Sequence, residues 1–266
     1  MKTTKLILAS VMCLLVVASC GQKNKAKTQE APVEKSRAEL QAEAVVMIHL
    51  DSLANLVLSK ETGSVMAILE KGSIDLPASE KQVKPEYLMD PAVVNNLQTV
   101  SQKCRAIGIL SVDQTLAEMY DMPVLGYKSA IVKLVADTGI PKLADKEGKL
   151  NDQIKAIYED MKEAERVVSF WDLMTAAFIE GIYATTQNTE RFIGLLTDED
   201  VESTTWKYTL FSVAMEELAS INPEYQPISD ALKPLDKLNA INVDMFHKQL
   251  IELQGEITAA REALLK

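Results

Sequence analysis

The chain has 266 residues, 28 of them basic and 38 acidic, for a net charge of −10 at pH 7. That balance repels nucleic acid and anionic surfaces, and it excludes a nucleic-acid-binding role. Three cysteines are too few for a disulfide framework, and the length suits one large domain or two small ones.

Taken in order, Lys2 and Lys5 precede an apolar run from Leu6 to Val17, broken by Ser10. This is the layout of a secretory signal, here residues 1–19. The run is 12 residues long, short of the roughly 20 a spanning helix needs. The signal ends in Val17-Ala18-Ser19-Cys20. These four residues resemble the lipobox of bacterial lipoproteins: an aliphatic residue, two small ones, then a cysteine. The resemblance implies that the Cys20 thiol receives a diacylglyceryl group, that the chain is cut before it, and that the new amine is acylated. Each buried methylene contributes ~0.8 kcal/mol, and two chains anchor stably. Cys20 then holds the protein on a membrane without a spanning helix. Gly21, not Asp, follows it, and Gln22–Lys27 is basic. By the sorting rules of such lipoproteins this implies the outer membrane, facing the periplasm. Loss of Lys2 and Lys5 with the signal takes the net charge from −10 to −12. Cys13 also leaves, so Cys104 is the one remaining thiol, expected as a buried structural residue.

Residues 20–38 are polar without apolar periodicity and read as a lipidated cysteine plus flexible tether. Its 18 residues after Cys20 reach at most roughly 60 Å. Residues 39–266 read as one all-α domain, a bundle of about seven or eight helices, with a possible subdivision near 141–150. Val46, Leu50, Leu53 and Val57 form a first helical stripe. A longer one runs Leu150, Ile154, Ile157, Met161, Ala164, Val168, Trp171, Thr175, Phe178, Ile182. One continuous helix carrying it would be about 50 Å long. Phe246, Leu250, Leu253, Ile257, Ala260 and Leu264 form a third. Asp90-Pro91 fits a helix start. Ser111 to Gln114 has the form of a capping box, and Thr197 to Asp200 places acids at a helix N-terminus.

Chemistry-bearing motifs are scarce. No phosphate loop, dinucleotide fingerprint, nucleophile elbow or zinc spacing occurs. Asp244 and His247 lie one turn apart, which alone makes no metal site. Met119 and Met122 read as core residues. No catalytic residue, cofactor or metal is assigned. Within Ser169–Tyr183, Asp172 and Glu180 interrupt an apolar helix. Facing inward they would be buried carboxylates with shifted pKa values; on a half-buried helix they face water, the simpler reading. Ala176, Ala177, Gly181 and Ala184 leave room for another helix to approach closely.

The stretch from Ala106 to Ile140, with Phe178 to Tyr183, resembles a family of helical lipoproteins of the Bacteroidetes. Ser111, Asp113, Tyr120 and Asp121 match its first motif, with Leu116 where an aromatic is expected; Phe-Ile-Glu-Gly-Ile-Tyr matches its second. The resemblance implies fold and location, no activity, and directs interest to Asp113 and Glu180. The sequence thus reads as a lipid-anchored envelope module, a non-enzymatic adaptor or binding protein with the membrane and an envelope protein as partners. The alternatives are a periplasmic carrier of a small ligand, lined by Asp172 and Glu180, or an enzyme using three of Asp113, Glu180, Asp244 and His247.

Overall fold

A computed structural model describes residues 35–59, 81, 84–140 and 150–266. The lipobox, nearly all of the tether and the proposed linker at 141–149 lie outside the described residues. Residues 36–266 cluster as one unit. Among the described residues the chain is all-α and holds no strand. Ten α-helices occur there, more than the seven or eight expected: α1 (Arg37–Ser59), α2 (Val100–Met119), α3 (Leu125–Thr138), α4 (Leu150–Glu163), α5 (Val167–Gln187), α6 (Thr189–Phe192), α7 (Asp198–Ile221), α8 (Gln226–Leu232), α9 (Val243–Glu252) and α10 (Gln254–Ala263).

The larger count comes from stripes that are continuous while their helices are not. The stripe from Leu150 to Ile182 is split between α4 and α5. Glu165 takes the left-handed conformation, φ 57°, and Arg166 N donates to Met161 O at 2.7 Å. This 6→1 closure ends α4 before α5 begins, so the single long rod expected from the stripe is two shorter helices. Asp121, φ 56°, ends α2 in the same way, with Met122 N donating to Ala117 O at 2.8 Å. The C-terminal stripe breaks at Leu253, yet all six of its residues are buried. Apolar spacing reports which residues face the core; it does not report where the backbone turns between them.

Helix starts follow local chemistry. Asp90 accepts from Ala92 N and opens the short turn Pro91–Asn95. Thr197 and Asp200 form a reciprocal capping box at α7. The capping box expected at Ser111–Gln114 is corrected: those residues lie inside α2, where Ser111 Oγ donates to Ile107 O. The box that starts α2 is Thr99 with Gln102.

At the centre lies α5, apolar all round and buried on every side, as expected of a core helix. Around it Tyr158, Phe170, Trp171, Phe211 and Phe178 form a chain of ring contacts with centroids 4.8–5.9 Å apart. Its most extensive contact is with α2. Gly108 makes that approach possible: a Cβ there would stand 2.2 Å from Leu173 O and 2.9 Å from Ala177 N. Arg105 faces Asp172, Gly108 faces Leu173 and Ala177, and Asp113 neighbours Glu180. Numbers rise together along both helices, so α2 and α5 run in the same direction.

Candidate functional site

Two polar clusters sit in this α2–α5 seam, eight residues and thus about 12 Å apart along each helix. Both depend on α10, which closes over the seam.

The first is built on Asp172. The simpler sequence reading, that Asp172 and Glu180 face water, is corrected: Asp172 is 1% exposed and Glu180 0%. With α5 surrounded, no polar side of the helix is left to carry them. Arg105 Nη1 donates to Asp172 Oδ1 at 2.7 Å, with both side chains 1% exposed. Arg105 Nε donates to Leu264 O beyond the end of α10, and its Nη2 lies 3.8 Å from Glu224 Oε1. Tyr225 OH donates to Asp172 Oδ2 at 2.9 Å and takes a hydrogen bond from Ser101 Oγ at 3.0 Å. Burial pushes the Asp172 carboxyl up to about 6, against the opposing pull of the Arg105 charge and the hydrogen bonds. It remains ionised at neutral pH, and both oxygens are taken.

The second cluster joins Asp113, Glu180 and Arg261. Arg261 Nε donates to Glu180 Oε2 at 2.9 Å and Nη2 to Oε1 at 3.3 Å. The guanidinium also lies over the Tyr183 ring, 4.7 Å from its centroid. Asp113 Oδ2 accepts from Met89 N at 2.7 Å, and Tyr127 OH donates to Met89 O. Its Oδ1 is buried with no donor to accept from. Burial, then the Glu180 charge, push the Asp113 carboxyl well above the usual range, and the Glu180 carboxyl is itself raised by burial despite Arg261. Two acids facing one guanidinium settle with a single shared proton. Asp113, the more strongly raised of the two, therefore carries it, in a side-chain hydrogen bond with Glu180.

Of the residues singled out in the sequence, Asp113 and Glu180 are brought together, while Asp172 belongs to the neighbouring cluster. Asp244 and His247 lie on α9, the first exposed and the second half-buried. Among the described residues no group of three His, Cys, Asp or Glu is placed to hold a metal. Cys104 is buried, its thiol pushed to about 11 mainly by burial, which makes it a packing residue. Met119 and Met122 are core. Sequence reasoning missed Arg105, Tyr225 and Arg261, the partners of the buried acids. Arg105 did leave a trace, standing inside the apolar run Cys104–Leu110.

The fold and these clusters define an all-α unit knit by two buried acid–arginine centres. No family model, no curated protein and no solved structure matches the chain.

Proposed function

We propose that the protein is a lipid-anchored, non-enzymatic adaptor or binding module of the bacterial cell envelope. It is held through Cys20 and is placed at the outer membrane facing the periplasm. The observation that carries the membrane-held part of the reading is α1. It buries Val46, Leu50, Ala54 and Val57 on one side and exposes Leu40, Val45, Ile48 and Leu56 on the other. A helix that is apolar on both sides and packed on only one marks a surface that meets something. The buried acids favour binding over catalysis. Asp172 and Glu180 are occupied by arginines, and Asp244 and His247 do not join them. A carrier lined by the two carboxylates would need them open to a cavity, and Arg105 and Arg261 fill those positions.

The test is crosslinking in intact cells, with mass spectrometry of the tagged protein and of its Cys20 peptide, and Cys20→Ala as control. Acyl chains on Cys20 and one stoichiometric envelope partner, lost in the control, are expected. An unmodified Cys20 overturns the anchor. A lipidated protein with no protein partner and a co-purifying small molecule overturns the adaptor in favour of the carrier.

A further inference from the structure

The outward side of α1 needs an occupant, and charge identifies one. Leu40 is 53% exposed, Val45 51%, Ile48 65% and Leu56 47%. On helical spacing these four lie within about 80° of the direction of Ile48, with Gln41, Ala44, Ser52 and Asn55 between them. The acid in that sector, Asp51, stands toward its edge and is bound by Lys162 Nζ at 2.6 Å and by Tyr158. Glu43 and Glu39 fall on the opposite side of the helix by the same spacing. The sector is therefore uncharged apart from Arg37 in its first turn and the bound Asp51.

The charge of the whole chain is divided along its length. Residues 21–37 hold five basic and two acidic side chains; residues 38–266 hold 21 basic and 36 acidic. An anionic bilayer attracts the first segment and repels the second. The sixteen residues between Cys20 and Arg37 reach at most about 55 Å, so an acyl anchor confines α1 to the neighbourhood of the bilayer. Of an acidic molecule confined there, the uncharged apolar side of α1, the helix that follows the basic segment in the chain, is the side that approaches lipid at least cost. α1 has the length and apolarity of a spanning helix, and α5 has too. Its inner side, however, packs on α7 and α4, so it lies along a surface and does not cross one.

We propose that α1 rests lengthwise on the lipid surface, its Leu40–Leu56 side at the headgroup boundary. The unit then has a fixed orientation, with the surface opposite α1 turned to the aqueous space. This inference rests on the lipid-anchor reading and goes beyond it, since a domain held by acyl chains alone need have no orientation.

The test uses the full lipidated chain in vesicles of phosphatidylethanolamine and phosphatidylglycerol at 3:1. A nitroxide is placed at Ile48→Cys, and in a second protein at Val132→Cys on α3, a position 68% exposed. Cys104 is buried and stays unlabelled. Collision with oxygen against a water-soluble nickel chelate reads lipid contact. We expect the oxygen-to-nickel ratio at Ile48 to exceed that at Val132 several-fold. Equal ratios overturn the proposal. Broadening at Ile48 that grows with protein density overturns it in favour of a second copy of the chain. The mass of the Cys20 peptide is measured on the same sample. With acyl chains present, equal ratios refute the orientation alone. With none, the anchor reading fails, and the same labels on the full chain carrying Cys13→Ala and Cys20→Ala, mixed with these vesicles, decide the α1 contact by the same ratio.

Discussion

Arg105 and Asp172 meet at 2.7 Å with neither side chain more than 1% exposed, and Asp113 stands by Glu180 eight residues further along the same two helices. The two contacts look alike in sequence spacing and differ in charge. The first pairs a carboxylate with a guanidinium. The second pairs two acids, one holding a proton, with Arg261 outside them. That difference separates the effects of removing each acid.

Asp172→Asn leaves the Arg105 guanidinium buried beside a neutral amide, with Leu264 O and a distant Glu224 as its remaining partners. Breaking a buried pair from one side costs about 3–5 kcal/mol. Asp113→Asn replaces a protonated carboxyl by its neutral isostere. The amide oxygen still accepts from Met89 N, and the amide NH2 donates to Glu180. A change within about 1 kcal/mol is expected near pH 4, turning into a gain of about 1.4 kcal/mol per pH unit above it, because the wild-type chain must take up a proton to fold and the variant need not. Urea midpoints at constant m distinguish them. Equal losses would remove the proton from Asp113.

The raised acids set the pH dependence. Asp113 and Glu180 both sit above their ordinary values. Each holds its proton more tightly folded than unfolded, so its contribution is full below pH ~4 and is lost as pH rises through the folded value. Asp51 runs the other way. Its carboxyl is lowered by hydrogen bonds from Lys162 and Tyr158, so its contribution is present above pH ~4 and lost as pH falls below. Thermal midpoints should therefore rise on acidification from pH 7.5 to about 5 and fall again below about 3.5. In Asp113→Asn the slope above pH 5 should flatten by one proton, about 1.4 kcal/mol per pH unit. An unchanged slope would contradict the shared proton.

The stripes that fold this chain were legible because burial in a helix leaves a period: Val46 to Val57 and Phe246 to Leu264 face the core as their spacing predicts. Helix ends were legible where a residue type marks them, as with Thr197 and Asp200 or with Gly139 at φ 65°. They were illegible at Asp121 and Glu165, which adopt the glycine conformation without being glycine. The acid–arginine centres were half legible. A carboxylate in an apolar helix is conspicuous, but its partner lies 67 residues away for Asp172 and 81 for Glu180, and nothing local pairs them.

Glu165→Gly follows from that misreading. The position is exposed, left-handed and closed by the Arg166 N to Met161 O bond. Glycine removes the Cβ strain of that conformation, and a gain of about 1 kcal/mol is expected, read as a higher urea midpoint. A loss would mean that the α4–α5 turn is not left-handed in solution.

Gly108→Ala should do the opposite, although alanine is the better helix former by about 1 kcal/mol. Its Cβ would meet Leu173 O at 2.2 Å and Ala177 N at 2.9 Å, both backbone atoms of α5 that no rotamer change can move. The two helices must separate, which pulls Arg105 from Asp172 and Asp113 from Glu180. A loss above about 3 kcal/mol is expected, at the upper end for overpacking. Gly255→Ala is the matched control, since nothing lies within 4 Å of the Cβ it would add near the start of α10. There the propensity term acts alone, and a gain of up to about 1 kcal/mol is expected. If both substitutions stabilise, the close α2–α5 crossing is wrong, and the alignment of the two acid centres goes with it.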